Sequence, residues 1–166
     1  MAEKTDCSFI ERKDRFRYRV GGIVVCGGYA LFGVNEKCDY YYTVGGGVHM
    51  GEKSEDAILR ELYEETGERM SIIRPLCLVE NFFDGDGIFE GFDCHVLELY
   101  YLIECDERKD FNAHSVTAGD AEEKVCWLPL DRIEEYDIRP PLVKELLKEM
   151  PTDFRLLVND VIKRKD

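Results

Sequence analysis

The sequence contains few basic residues relative to acidic ones. Lys and Arg number 22 against 35 Asp and Glu, which gives a formal net charge of −13. A protein that binds long nucleic acids needs a basic surface to neutralise a row of phosphates, so nucleic acid is not an expected partner. The basic residues gather near the two ends of the sequence, at Arg12, Lys13, Arg15, Arg17 and Arg19 and at Lys163, Arg164 and Lys165.

The sequence also lacks long apolar runs and paired cysteines. No stretch reaches the roughly 20 apolar residues that span a membrane, and residues 1–19 contain no apolar core of a signal peptide. The seven cysteines are widely spaced and form no C-x-x-C pair, which argues against a zinc site. We therefore expect no membrane partner and a cytoplasmic location, where reduced cysteines serve as small core residues.

The 166 residues fit one domain, 1–166, with its own hydrophobic core. Alternating or apolar segments between turn residues predict strands at 17–26, 29–34, 40–44, 72–83, 92–104 and 125–130. Helices are predicted between Ser54 and Gly67, at 141–150 and, as a short final element, at 154–162. Segment 84–87 is predicted as a turn and 106–123 as a polar loop. Strands interrupted by one internal helix indicate an α+β fold with a mixed sheet and helices packed on it.

The helix after Gly45–Gly47 carries three glutamates on one face. At about 100° per residue, a face about 100° wide contains Ala57, Glu61, Glu64 and Glu65. Crowded carboxylates repel one another unless they are solvated, protonated or bound to a cation. Mg²⁺ prefers carboxylate oxygens and completes its shell with water and substrate phosphates. A metal site, to which a carbonyl of the glycine turn could add a ligand, and a solvated acidic surface are the two interpretations. Arg60 can pair with Glu64 at i+4.

The spacing of these residues resembles the Nudix box. That pattern is Gly, five residues, Glu, seven residues, Arg-Glu, an apolar residue, any residue, Glu-Glu, any residue, Gly and an apolar residue. Eight of the nine specified positions match, at Gly46, Glu52, Arg60, Glu61, Leu62, Glu64, Glu65 and Gly67. The ninth departs, because Glu68 stands where the pattern has an apolar residue. We expect Met70 or Ile72 to fill that gap in the packing.

The resemblance implies the Nudix α/β/α sandwich, in which a mixed sheet lies between helices and residues 46–68 form a loop–helix–loop. It also implies an enzyme that hydrolyses a nucleoside diphosphate linked to another group, with Mg²⁺ or Mn²⁺ as cofactor. Arg60 is expected to orient the glutamates and Glu52 to support the loop through hydrogen bonds. The metal ligands implied by position are the Gly45 carbonyl and the carboxylates of Glu61, Glu64 and Glu65.

The general base varies within the family, between a glutamate of the box and a glutamate on a distant loop. Glu61 is the favoured base here, and Glu122 and Glu123, in the predicted loop, are the distant candidates as base or metal ligand. One tyrosine of the Tyr40–Tyr42 run is a candidate to stack on a nucleobase. The histidines give weaker signals: His49 lies in the box loop, His95 begins an apolar strand, and His114 is predicted on a surface loop.

The predicted function is Mg²⁺-dependent hydrolysis of the pyrophosphate bond of a small nucleoside diphosphate derivative. Nucleoside triphosphates, nucleotide sugars, ADP-ribose and dinucleoside polyphosphates are the candidate substrates, since a fold alone does not select among them. One alternative is an RNA 5′-end pyrophosphohydrolase, which the negative charge disfavours. Another is a non-catalytic ligand-sensing Nudix module, although such modules usually lose box glutamates that this sequence retains. A homodimer is compatible with the sequence.

Overall fold

The computed structural model describes residues 4–111, 115–116 and 122–162. Its helices are α1 (Ser54–Thr66) and α2 (Leu142–Lys148), and two 3₁₀ segments occupy Gly87–Phe89 and Leu130–Glu135. The described strands are β1 (Ser8–Glu11), β2 (Asp14–Cys26), β3 (Tyr29–Asn35), β4 (Tyr41–Thr43), β5 (Ile72–Asp84), β6 (Asp93–Ile103), β7 (Ser115–Val116), β8 (Glu122–Pro129), β9 (Ile138–Arg139) and β10 (Arg155–Asp160).

These strands form one mixed sheet in which the long strand β2 joins two halves. Residues 14–24 of β2 pair in parallel with β6, and its last two residues pair antiparallel with β3. The order β10-β5-β6-β2-β3-β4-β9 runs across the sheet, while β1 pairs with β2, and β8 pairs with both β3 and β7. The predicted α+β fold with a mixed sheet is therefore confirmed.

Hydrophobic residues fill both faces of the sheet. Because side chains alternate along a strand, Leu31 and Phe32 face opposite sides. Leu31 belongs to the cluster under α1, which includes Ile58 and Leu62. Phe32 belongs to the cluster under α2, which includes Val143. The sheet thus lies between two helices, as in the sandwich that the resemblance implied.

Three local predictions were wrong. Segment 154–162 contains strand β10, not a helix, because its main chain pairs in parallel with β5 and Leu157 packs on the core. Glu122 and Glu123 begin strand β8, so they do not lie in a loop. Lys53, not Ser54, is the N-cap of α1, since the Ser54 hydroxyl lies 2.8 Å from the Tyr101 hydroxyl.

The predicted end of α1 is confirmed. Gly67 has a positive φ of 74°, which suits glycine, and its N–H donates to the Tyr63 carbonyl at 2.8 Å. Met70 and Ile72 pack against the cluster under α1, as expected from the departure at the last position of the box. The Glu68 side chain is half-exposed, and its carboxylate lies 3.2 Å from the Lys109 ammonium.

No helix within the described residues is long and apolar enough to cross a membrane.

Candidate active site

The glycine turn before α1 lies against the middle of β2. The Gly46 carbonyl accepts a hydrogen bond from Val20 N–H at 2.9 Å, and Val48 N–H donates to the Tyr18 carbonyl at 3.2 Å. Gly45 has a φ of 128°, and a Cβ there would lie 2.3 Å from the Val20 carbonyl oxygen. A Cβ on Gly46 would lie 2.5 Å from the Glu61 carboxylate. Glycine is therefore required at Gly45, where the backbone of β2 lies so close, whereas a Cβ at Gly46 would displace the Glu61 carboxylate.

Arg60 joins the turn to the acidic face of α1. Its guanidinium donates to both oxygens of Glu52, at 2.8 and 2.9 Å, and to the Gly47 carbonyl at 2.9 Å. It also donates to Glu61 at 2.6 Å and to Glu64 at 3.3 Å, the second being the i+4 pair expected from the sequence. One planar guanidinium thus holds three carboxylates and the glycine turn in a fixed arrangement.

Glu52 is the best-compensated acid of the box. Its carboxylate accepts two bonds from Arg60 and one from His49 N–H at 3.0 Å. The hydrogen bonds from Arg60 lower the pKa of Glu52 to about 2. An ionised Glu52 therefore ties the loop to Arg60, in a position that suits the supporting role expected of it.

Glu65 is the least-compensated acid of the box. Its side chain is buried, and its two oxygens accept bonds from Gly45 N–H at 3.2 and 3.0 Å. Burial, reinforced by the charge of Glu123 and opposed by that of Arg19, raises the pKa of Glu65 well above its ordinary value. Burial also raises the pKa of Glu61, against the opposing effect of Arg60. Glu64 differs from both because half of its side chain, 53%, is exposed.

The predicted ligands converge on one region, but their side chains are directed to protein partners. Among the described residues, no three His, Cys, Asp or Glu side chains already surround a common point as metal ligands do. The reason is visible in the hydrogen bonds: Glu61 turns to Arg60, and Glu65 turns to the N–H of Gly45. A cation would compete for these carboxylate oxygens with donors that belong to the protein.

The structure separates the two glutamates of β8. Glu123 lies opposite Asn35 in the pairing with β3 and accepts a hydrogen bond from the Tyr42 hydroxyl. Its charge acts on Glu65, so Glu123 lies beside the box. Strand alternation turns Glu122 to the opposite face, where its carboxylate is 3.9 Å from the Lys124 ammonium. The sequence could not distinguish them, because it did not indicate that a strand begins here.

A cleft of about 620 Å³ adjoins the box and is lined by β2, β5 and β6 and by segments around residues 40, 86, 139 and 159. Tyr40 and Tyr42 line it, whereas Tyr41 faces the α2 side and packs near Tyr136. Its volume suits a small organic ligand, for which about 300–1,000 Å³ is typical. Most of this cleft was not predicted from the sequence, in which the arginines of β2 formed part of a basic group near one end. Their alternation at positions 15, 17 and 19 was a usable signal, because it places all three on one face of a strand.

Of the two histidines within the described residues, His49 lies in the box loop and His95 lies away from the cleft. His49 packs in the box loop, with Nδ1 3.4 Å from a Glu52 oxygen and Nε2 3.6 Å from Asp6. His95 is half-buried between the rings of Phe16 and Phe82, and strand alternation places it on the face of β6 opposite the cleft residues Val96 and Glu98. His114 lies outside the described residues.

Comparison with known proteins identifies the family. The sequence of residues 16–149 matches the family model described as the NUDIX domain. A nucleoside triphosphatase NudI from Klebsiella pneumoniae is 30% identical, over 58% of this chain and 67% of that protein.

Solved structures agree on the fold. The MutT protein from Methanosarcina mazei superposes with a TM-score of 0.61 at 15% identity, covering 83% of this chain and 94% of that one. A MutT protein from Bacillus halodurans superposes with a TM-score of 0.57 at 18% identity, covering 86% of both chains. With the family model spanning most of the sequence, this chain belongs to the Nudix family and is a pyrophosphohydrolase of nucleotide derivatives.

Proposed function

We propose that the chain hydrolyses the pyrophosphate bond of a small, free nucleotide and that this activity requires a divalent metal ion, Mg²⁺ or Mn²⁺. The metal ligands in this proposal are the Gly45 carbonyl and the carboxylates of Glu61, Glu64 and Glu65. Arg60 and Glu52 position them. A location in the cytoplasm and a homodimer stay predictions from the sequence.

The observation that carries the proposal is the crowding of partly compensated carboxylates beside the glycine turn. Glu61 and Glu65 are held where burial raises their pKa values, and Arg60 already divides its charge among several acids. Clustered carboxylates with a nearby backbone carbonyl form the all-oxygen donor set that suits Mg²⁺. The residues present therefore fit a hard divalent cation, whose positive charge would offset the repulsion among them.

A bound metal ion would neutralise charge on the phosphates and lower the pKa of a water molecule. The protein supplies geometry and a proton acceptor. Glu61 is the favoured base, since burial raises its pKa and a higher pKa makes a carboxylate a better proton acceptor. Its 2.6 Å bond to Arg60 fixes the direction of the carboxylate beside Gly46.

Glu123 is the second candidate for the base or a further metal ligand. It comes from β8, reaches the box beside Glu65 and is held by the Tyr42 hydroxyl. Glu122 was the other distant candidate, and its place on the opposite face of β8 disfavours it.

A small substrate is favoured by charge and by the size of the cleft. A net charge of −13 opposes the binding of a long polynucleotide. The cleft of about 620 Å³ can hold one nucleotide, with Tyr40 and Phe83 among the aromatic side chains that line it. An RNA 5′ end stays the alternative substrate, and it would have to place its chain outside this cleft.

The proposal is tested by assaying purified protein with Mg²⁺ against a panel of nucleoside triphosphates, nucleotide sugars, ADP-ribose, dinucleoside polyphosphates and a triphosphorylated RNA. EDTA should abolish hydrolysis, and Mg²⁺ or Mn²⁺ should restore it. Glu64→Gln should lower kcat on the best substrate on the order of 10²–10³-fold, because a metal-bound carboxylate is lost while the half-exposed position tolerates the change.

Glu68→Gln is the matched control, since Glu68 also belongs to the box but its carboxylate pairs with Lys109 on the surface. Its rate should stay within about twofold of the unmodified chain, as expected for an exposed ion pair. Full activity in EDTA, or a wild-type rate for Glu64→Gln, would contradict the metal requirement. A kcat/KM for the RNA well above every small nucleotide would contradict the proposed substrate size.

A further inference from the structure

Three arginines of β2 line the cleft in a row that leads away from the box. Arg15, Arg17 and Arg19 occupy alternate positions and therefore share one face of the strand, about 7 Å apart along it. All three line the cleft. Arg19 and Arg17 lie nearest to the box. The backbone of Arg19 forms an isolated antiparallel β-bridge with Gly47. A Cβ on Gly47 would lie 3.0 Å from the Arg17 guanidinium.

Arg19 has a structural role, because its guanidinium is bonded to protein partners. Its guanidinium donates to Glu98 at 2.7 Å and to the Thr43 carbonyl at 2.9 Å, and the Glu98 side chain is only 5% exposed. A buried, hydrogen-bonded ion pair of this kind holds β2, β4 and β6 together and has little charge left for a ligand.

Arg17 has much weaker compensation. Its one ion pair among the described residues is with Asp6, at 3.5 Å, which is longer than a good hydrogen bond. Burial and the neighbouring charge of Arg19 lower the pKa of Arg17, against the opposing charges of Asp6 and Glu61. A mostly buried guanidinium next to two other arginines is stabilised when an anion approaches it.

Arg15 lies one alternate position further from the box. Its guanidinium carbon is 3.7 Å from the centre of the Phe89 ring, so the ring covers one face of the planar group. Stacking of this kind uses the face of the guanidinium. Arg15 also forms a side-chain hydrogen bond with the Cys94 thiol, and its remaining in-plane N–H donors are available to a ligand. Acids also line this end of the cleft at Asp84 and Asp86, and Asp86 pairs with Arg139 at 2.8 Å.

We propose that Arg17 and Arg15 bind successive anionic groups of the substrate, Arg17 the phosphate next to the box and Arg15 a further phosphate. The preferred substrate is then a nucleoside triphosphate or another nucleotide with an extended phosphate chain. A nucleotide sugar lacks the further phosphate and cannot use Arg15. This inference rests on the proposed function, since it takes the box as the place where the anhydride is cleaved.

The test measures binding in the presence of Mg²⁺ with two ligands whose bridging oxygens are replaced by methylene groups. One is a nucleoside triphosphate analogue, and the other is the matching nucleoside diphosphate hexose analogue. Arg17→Gln should weaken both by about tenfold or more, since each loses a charge-assisted hydrogen bond. Arg15→Gln should weaken the triphosphate analogue to a similar degree and the hexose analogue by less than about threefold. Arg15→Lys should retain part of the triphosphate affinity, because the charge remains.

Arg132→Gln is the control, since Arg132 lies outside the cleft and pairs with Glu135 on the surface. Melting temperatures show whether each variant is folded. Equal weakening of the two ligands by Arg15→Gln would show that Arg15 does not bind a further phosphate and would overturn the inference. The inference would also be overturned if Arg17→Gln or Arg15→Gln bound the triphosphate analogue within twofold of the affinity of the unmodified chain. Because neither ligand is hydrolysed, these results are separate from the outcome of the activity assay.

Discussion

Arg60 and Arg17 both lie against Gly47, yet their charges are compensated very differently. Arg60 makes five hydrogen bonds, to Glu52, Glu61, Glu64 and the Gly47 carbonyl. Arg17 has a single ion pair among the described residues, at 3.5 Å. A saturated guanidinium organises the protein, whereas an undersaturated one near a cleft has its charge available to a ligand.

The same contrast separates the acids of the box. Glu52 receives enough hydrogen bonds to lower its pKa to about 2. Within the described part of the chain, Glu65 receives hydrogen bonds from Gly45 alone, and burial raises its pKa. The compensated pair of Glu52 and Arg60 is thus a structural element, and the less compensated groups on either side of it are the candidates for binding metal and phosphate.

The largest expected effect is on stability and separates the two arginines. Arg60→Gln leaves the carboxylates of Glu52 and Glu61 without their main partner, which should cost about 2–4 kcal/mol. The metal-free melting temperature should then fall by roughly 5–15 °C. Arg17→Gln should change it by less than about 2 °C, because a weakly paired, partly buried charge is removed. Thermal melts of the two variants in EDTA make the comparison, and equal losses would show that Arg17 is also structural.

A smaller effect is expected from the two adjacent glutamates of β8. If Glu123, whose charge acts on Glu65, is the base or a further ligand, Glu123→Gln should lower kcat by about 10–100-fold. Glu122→Gln, on the opposite face of the strand, should stay within about twofold. Steady-state kinetics on the best substrate distinguish them. If the two variants lose activity equally, or neither does, Glu123 has no special place in the site.

The smallest effect is a gain in stability at Glu65. The folded-state pKa is raised, so the unfolded chain, with a Glu pKa of about 4.3, releases this proton first. The folded chain therefore loses stability as the pH rises from about 4.3 to the raised folded-state pKa of Glu65, and the loss is constant above that pKa. In EDTA at pH 7.5, Glu65→Gln should melt about 2–4 °C higher than the unmodified chain, and the difference should vanish near pH 4.

The glutamine keeps an acceptor for Gly45 N–H, so the comparison isolates the charge. Melts of both proteins from pH 4 to 8 give the measurement, and Glu68→Gln is the half-exposed control. A difference that does not depend on pH would mean that packing, not charge, decides the stability at this position.

Local sequence determined helix α1 and the candidate box on it. Helical periodicity placed Glu61, Glu64 and Glu65 on one face, and Gly67 ended the helix as predicted. The family pattern could be recognised because its residues lie within about two dozen consecutive positions, where spacing and geometry are directly linked. Most strands were found for the same reason, since alternation is a local property.

The tertiary structure decided whatever depends on pairing between distant segments. Strand β10 gained its conformation from β5, and Glu123 reached the box only because β8 pairs with β3. Arg17 and Arg19 belong to the same stretch of sequence, yet Glu98 of β6 compensates Arg19, whereas Arg17 has the longer ion pair with Asp6. Hydrogen-bond partners from remote strands set the burial and charge of each group, and composition and spacing do not specify those partners.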